Sequence, residues 1–195
     1  MIRFSRFLPI NRATPFDPHS LYFSSGGDLV IESQDRRSLM LRKVDFGSVI
    51  FPEQPPYWSA SMACKIHCLE EEGYILLDAA VGQALWQDYS LMKSRGRVQK
   101  SVLMALHRRF GISYIDFPGT VVKGKGGRRY IVCLSLEEDS WIDEDPDTGQ
   151  ITTEYSGEAR WKFGYILISN PWNDMGREFR SACLMGYPSV SLKKR

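Results

Sequence analysis

Prolines and a glycine pair interrupt the first 58 residues at short intervals. The glycines are Gly26 and Gly27, and the prolines are Pro9, Pro15, Pro18, Pro52, Pro55 and Pro56. Proline lacks an amide hydrogen and keeps the preceding residue extended, so helices are disfavoured here. Residues 28–32 and 38–42 are predicted to form a short hairpin. We expect residues 1–56 to be a flexible, proline-rich N-terminal arm and residues 57–195 to be a globular domain.

Apolar periodicity predicts the elements of this globular domain. Alternating apolar residues over 59–70 predict a strand. Apolar residues recur every three or four positions over 76–89 and 98–110, which predicts two helices, the second ending at Gly111. A final helix is predicted from Asn170 to Gly186. Further strands are predicted at 112–117, 130–136, 151–155 and 161–169.

The order of these elements indicates an α+β fold. We expect an antiparallel β-sheet packed against two central helices and a C-terminal helix, with an extended N-terminal arm. Hydrophobic residues make up 43% of the 195 residues, which is enough to bury a core. The sequence has no apolar run of roughly 18 residues, so no membrane-spanning helix is expected. No secretory signal is expected, and four cysteines are typical of an intracellular chain.

Charge is strongly segregated along the chain. Residues 86–131 carry a net charge of +8, residues 132–159 have nine acidic and no basic side chains, and residues 160–195 carry +5. Such a distribution favours head-to-tail self-association or docking to an anionic surface. It is equally typical of a solvated acidic loop beside a solvated basic helix, with no binding role. The candidate membrane-binding or nucleic-acid-binding residues are Lys93, Arg95, Arg97, Lys100, Lys123, Lys125, Arg128 and Arg129.

No metal, cofactor or catalytic site is expected. Cys64, His67 and Cys68 resemble a metal-ligand cluster, but on a strand His67 would point away from the two thiols. Residues 119–125 nearly fit a phosphate-binding loop, yet Gly126 stands where that loop needs a hydroxyl. The histidines and paired carboxylates lie in no catalytic motif, so we do not expect an enzyme.

A proline–tyrosine segment precedes the expected globular domain. Pro55, Pro56 and Tyr57 are one residue short of a PPxY budding motif, and such segments dock into aromatic grooves. Residues 74–77 formally fit the YxxL type, but their apolar side chains are expected in the first helix and the core.

The order of elements resembles that of the rhabdovirus matrix proteins. Three stretches carry the resemblance: the proline–tyrosine segment, the first helix with its basic break and second helix (residues 73–110), and the stretch from Trp172 to Gly186. Two features depart from the family: the N-terminal arm has only three arginines instead of a dense lysine cluster, and the budding motif is imperfect. The likeness spans roughly 130 residues.

This resemblance implies a non-enzymatic viral structural protein. Such a protein self-associates, binds the inner membrane leaflet and the viral nucleocapsid, and drives virion assembly and budding with the host budding machinery. It is expected in the virion, in the host cytoplasm, at the inner face of the host membrane and in the host nucleus. An alternative is an RNA-binding regulator or viral suppressor that uses the same basic residues.

The arm is a candidate for self-association. A proline-broken arm cannot bury its own apolar side chains, so they either fold back on their own domain or enter a groove on a neighbour. The arm residues proposed for this role are Phe4, Phe7, Leu8, Phe16, Tyr22 and Phe23.

Overall fold

The structure, a computed structural model, describes residues 7–20, 29–46, 49, 62–144, 151–168, 179–181 and 183–184. They form a mixture of helices and antiparallel sheets, as in the α+β class. The helices are α1 (Arg36–Leu39), α2 (Met62–Glu71), α3 (Ala79–Ser94) and α4 (Val102–Phe110). The strands are β1 (Phe7–Pro9), β2 (Val30–Gln34), β3 (Lys43–Asp45), β4 (Ile75–Leu76), β5 (Tyr114–Lys123), β6 (Arg129–Glu144), β7 (Ile151–Leu167), β8 (Phe179–Ser181) and β9 (Cys183–Leu184).

The central sheet has the strand order β2-β5-β6-β7, with antiparallel pairing throughout. Strand β8 runs parallel to β5 beside Tyr114. Strands β5 and β6 pair as far as Ser135, whereas β6 and β7 stay paired out to Glu144 and Ile151. The last two strands therefore extend beyond the sheet as a two-stranded ribbon. Two small sheets, β1-β3 and β4-β9, complete the described topology.

Helices α3 and α4 pack on one face of the central sheet and bury the main core. Its fully buried members on these helices and strands are Val81, Leu85, Val102, Leu103, Leu106, Ile115, Phe117, Val132, Leu134 and Trp161. The helix approaches the sheet closely at Gly82, where a Cβ would lie 2.9 Å from the ring of Phe117. None of the helices in the described part of the chain has the length and hydrophobicity needed to cross a bilayer.

Side-chain caps fix the ends of both core helices. Asp78 caps α3 by accepting a hydrogen bond from the amide of Val81 at 3.2 Å. Ser101 caps α4 by accepting one from Met104 at 3.3 Å. Helix α4 ends at Gly111 in the left-handed conformation that favours glycine, as the sequence predicts.

The N-terminal segments join the same core. Leu8, Ile10, Phe16, Val44 and Phe46 are buried in one cluster with α3 and α4. The ring of Phe16 also meets Phe163 on β7 edge to face, with 6.3 Å between centroids. The flexible arm that the prolines predict is therefore not what the structure shows for residues 7–20 and 29–46. Proline excludes long helices here, but it leaves apolar side chains able to pack.

A polar cluster, which we name the N-terminal clamp, ties these segments to the start of α3. It consists of Arg12, Ser38 and Asp78. The guanidinium of Arg12 donates to Asp78 Oδ2 at 2.6 Å, to the Ser38 carbonyl at 2.8 Å and to the Leu41 carbonyl at 3.0 Å. Ser38 Oγ accepts a hydrogen bond from the Asp78 amide at 3.0 Å, and both residues are fully buried. One carboxylate thus caps the helix and binds the arginine.

Three sequence-based predictions of local structure are wrong. Residues 62–71 form helix α2 and not a strand, and the inward face of this helix holds Lys65, which a purely apolar pattern counts as polar. Residues 179–181 and 183–184 are strands and not part of a C-terminal helix, since they pair with β5 and β4. The short hairpin is absent because β2 pairs with β5 and residues 36–39 are helical.

The clamp generates a stability prediction. Changing Arg12 to Met leaves the carboxylate of Asp78 buried without its cation, because the guanidinium is only 13% exposed and Asp78 is completely buried. We expect a loss of about 3–5 kcal/mol in the free energy of unfolding, measured by urea denaturation.

The matched control is Arg42→Met, since Arg42 is exposed. Its effect should stay within about 0.5 kcal/mol. Equal midpoints for the two variants would contradict a stabilising role for the clamp.

Candidate anion-binding surface and cavity

The structure places the eight predicted basic residues in two groups, all of them exposed. The corner group, Lys93, Arg95, Arg97 and Lys100, lies at the end of α3 and in the turn before α4. The hairpin group, Lys123, Lys125, Arg128 and Arg129, surrounds the tight connection between β5 and β6.

The two groups do not form one patch. Lys93 lines a cavity with Trp161, and Trp161 pairs with Leu136 on β6. The hairpin group begins β6 at Arg129, seven residues earlier. At ~3.3 Å per residue, about 23 Å of strand separates the two groups. The single basic patch expected from the sequence is therefore split between two ends of the sheet.

The corner group is held together by local structure. Helix α3 ends at Ser94, a 3₁₀ turn follows over Val98–Lys100, and α4 begins after Ser101. The Asp88 carboxylate accepts a hydrogen bond from the Val102 amide at 2.7 Å, which joins α3 to the first residue of α4. Arg108 on α4 donates to the Gln99 carbonyl at 2.5 Å and so adds a fifth cation to this corner.

The hairpin group contains its own counter-charge. Arg129 pairs with Glu32 on β2, with an Nε–Oε2 distance of 2.7 Å. The hydrogen bond from Arg129 lowers the pKa of the Glu32 carboxyl, and the positive charges of Arg129 and Lys123 act in the same direction. Part of the hairpin potential is thereby neutralised within the chain.

The candidate self-association residues have different environments. Leu8 and Phe16 are buried in the main core, so they cannot enter a neighbouring molecule without leaving it. The side chain of Phe7 is 57% exposed, and the centroid of its ring lies 5.2 Å from Nζ of Lys43. Phe4, Tyr22 and Phe23 lie outside the described residues. The budding-motif candidate Pro55-Pro56-Tyr57 also lies outside them.

Sequence reasoning did not find the buried polar cluster that lies between α2 and the sheet. Lys65 Nζ lies 3.4 Å from Asp116 Oδ2, and both side chains are almost completely buried. Burial raises the pKa of the Cys133 thiol to about 12, the hydrogen bond with Tyr114 acts in the opposite direction, and the negative charge of Asp116 raises the pKa further. The only available signal was a lysine on an otherwise apolar helix face. The cluster anchors α2 to the sheet.

The cysteine–histidine run takes a helical arrangement. On α2 the side chain of His67 lies 3.3 Å from Glu71, one turn later. Within the part of the chain that the structure describes, no three His, Cys, Asp or Glu side chains are grouped as metal ligands would be.

A cavity of about 580 Å³ lies beside the corner group, between α3 and β7. Its lining combines cations, aromatic rings and hydroxyls: Trp86, Tyr89, Ser90, Lys93, Ser94, Arg160, Trp161 and Lys162. Sequence reasoning did not find it, because Lys93 and Arg160 are 67 positions apart in the chain.

Comparison with known proteins gives no relative: no family model, no curated protein and no solved structure matches this chain.

The cysteines generate a reactivity prediction. Because the pKa of Cys133 is about 12, its thiolate fraction at about pH 8 is roughly one in ten thousand. Cys64 is exposed. In the folded protein iodoacetamide should modify Cys64 and leave Cys133 intact, as measured by peptide mass mapping. Unfolding in urea should make the two rates similar, and similar rates without urea would contradict the burial of Cys133.

Proposed function

We propose that this protein is a non-enzymatic matrix-type structural protein that docks on an anionic membrane surface through the corner group. The observation that supports docking most directly is the exposure of four cations within residues 93–100. Leu91, on the preceding turn, is 46% exposed and offers an apolar contact beside the charges. Basic residues flanked by an exposed leucine suit the interface of an anionic bilayer.

The magnitude of this attraction follows from the number of charges. Each Lys or Arg near an anionic leaflet contributes about 1 kcal/mol, and the effect decays over a Debye length of about 8 Å at physiological salt. Four cations give roughly 4 kcal/mol, a weak and salt-sensitive attachment. The hairpin group is the weaker candidate, because Glu32 already binds Arg129.

The wider matrix role rests on the sequence resemblance. The order of α3, a basic break and α4 is compatible with it, whereas the strands within 179–184 remove part of its third stretch. Self-association, nucleocapsid binding, budding and the localisation in virion and host cell are therefore proposals. Since Leu8 and Phe16 stabilise their own core, self-association needs a surface other than these two side chains.

The alternative proposal is RNA binding by the same cations. Phosphate contacts of lysine and arginine are common to lipids and RNA, so the corner group alone does not separate them. The observation in favour of RNA is that aromatic Trp86 and the cation Lys93 line one cavity.

Vesicle binding tests the docking proposal. The corner variant Lys93→Gln/Arg95→Gln/Arg97→Gln should bind vesicles of phosphatidylcholine and phosphatidylserine about 100-fold more weakly, since it loses roughly 3 kcal/mol of attraction. Cosedimentation over a salt series measures this, and binding by the unchanged protein should fall as salt rises.

The matched control is Lys123→Gln/Lys125→Gln/Arg128→Gln, which removes the same charge from the hairpin group. It should bind within about threefold of the unchanged protein, because about 23 Å of strand separates the hairpin group from the docked corner group, far more than the Debye length of about 8 Å at physiological salt. Equal losses in both variants would show that net charge and not the corner group drives binding. A preference for single-stranded RNA over these vesicles, lost in the corner variant, would favour the alternative.

A further inference from the structure

The hairpin group takes no part in the proposed docking and occupies one end of the central sheet. All four of its cations are exposed. Glu32 binds Arg129 and offsets one of them, so three positive charges remain at this end of the sheet. Val30 on β2 pairs with Lys123 on β5, and the side chain of Val30 is 56% exposed. The hairpin group therefore presents positive charge beside an exposed apolar side chain.

The ribbon that extends beyond the sheet carries the opposite charge. We name residues 138–144 and 151–158 the acidic ribbon; within it Ser140 pairs with Tyr155 and Glu144 with Ile151. The sequence of these two stretches contains no lysine or arginine and six carboxylates: Glu138, Asp139, Asp143, Glu144, Glu154 and Glu158. It also contains the apolar residues Trp141 and Ile142. In composition the acidic ribbon is thus complementary to the hairpin group.

Strand β6 joins these two groups and keeps them apart. It runs from Arg129, in the hairpin group, to Glu144, in the acidic ribbon. At ~3.3 Å per residue, about 46 Å of strand separates Arg129 from Asp143. The Debye length is about 8 Å at physiological salt, so the two groups do not neutralise each other within one chain. Each group is left to attract the opposite charge on another molecule.

We propose that the acidic ribbon of one copy of this chain docks on the hairpin group of a second copy, end to end along β6. The inference rests on the self-association in the proposed function, and it names the two surfaces that make the contact. Opposite charges orient the copies, because hairpin against hairpin or ribbon against ribbon would place like charges together. The two surfaces differ, so the contact is heterologous and repeats into an open chain of molecules.

This contact leaves the corner group free. Lys93 of the corner group lines a cavity with Trp161, and Trp161 pairs with Leu136, about halfway along β6. Copies joined end to end therefore keep their corner groups available for an anionic surface. Exposed ion pairs are individually weak and are screened by salt. Association should accordingly need high protein concentration and weaken as salt rises.

Sedimentation velocity of the full chain, over a series of protein and salt concentrations, measures the association. An open chain predicts a sedimentation coefficient that rises with protein concentration without reaching a plateau and falls with added salt. A plateau at the size of a dimer would contradict the end-to-end contact. Monomers at every protein concentration in low salt would overturn self-association through these surfaces.

Charge reversal connects the association to the two surfaces. The hairpin reversal is Lys123→Glu/Lys125→Glu/Arg128→Glu, and the ribbon reversal is Asp143→Lys/Glu144→Lys/Glu154→Lys. Each alone should weaken association by about tenfold or more, because like charges then meet at the contact. A chain that carries both reversals should associate like the unchanged protein, since its attraction is restored with the signs exchanged. Failure of the combined chain to associate would contradict the proposal.

The matched control is the corner reversal, Lys93→Glu/Arg95→Glu/Arg97→Glu, which changes the net charge as much as the hairpin reversal does. It should leave association within about twofold, because about 23 Å of strand separates the corner group from the hairpin group. A chain with both the corner and the ribbon reversals has the net charge of the unchanged protein and should stay monomeric. Its association, or equal losses in the corner and hairpin reversals, would show that the hairpin group is not the partner of the ribbon.

A cross-link tests the contact in the unchanged protein and needs no variant. A carbodiimide joins a lysine amine directly to a carboxylate that touches it. The hairpin lysines and the acidic ribbon lie too far apart along β6 to be joined within one chain. Peptide mass mapping of the covalent dimer should therefore find Lys123 or Lys125 joined to a carboxylate of the acidic ribbon. Covalent dimers joined only at other positions would overturn the proposal.

Vesicle binding separates this interface from the proposed docking. The corner reversal should lose binding to phosphatidylserine vesicles and still associate in solution. Association of the unchanged protein without vesicle binding would support the interface and overturn docking. Vesicle binding without association in solution would support docking and overturn the interface.

Discussion

The ion pair between Arg12 and Asp78 sets the geometry on which the functional surface depends. Asp78 ends the extended segment after β4 and starts α3, so its position decides where this helix begins. Arg12 neutralises the buried carboxylate and at the same time binds the backbone carbonyls of residues 38 and 41. A buried carboxylate without a cation is costly, so the N-terminal segment has to be present for α3 to start at this residue.

The position at which α3 starts also determines where the residues at its C-terminal end lie. Ala79 donates to Thr120 Oγ1 at 3.0 Å, which joins the helix start to β5. From there the helix crosses the sheet and places Trp86 and Lys93 beside β7. On β7, the hydroxyl of Tyr165 donates a hydrogen bond to the Pro18 carbonyl at 2.6 Å. The N-terminal segment therefore also contacts this strand. The same chain segment thus supports both walls of the cavity.

Local sequence signals correctly predict the elements that depend on residues close together in the chain. The two core helices, the left-handed glycine at 111 and the strands after it follow from periodicity and capping. The errors arose where distant residues decide the outcome. Lys65 is buried opposite Asp116, 51 positions later in the chain, where helix α2 packs against the sheet. The cavity has the same origin, because Lys93 and Arg160 line it together only where α3 packs on β7.

The central claim is that residues 7–20 are part of the fold and position α3. Deleting residues 1–20 and measuring urea unfolding by circular dichroism tests it most directly. The deletion removes Leu8, Ile10 and Phe16 from the core and Arg12 from Asp78. We expect the truncated chain to lose its cooperative unfolding transition. A truncated chain that unfolds cooperatively, at the same urea concentration as the full chain, would contradict the claim and restore the flexible arm.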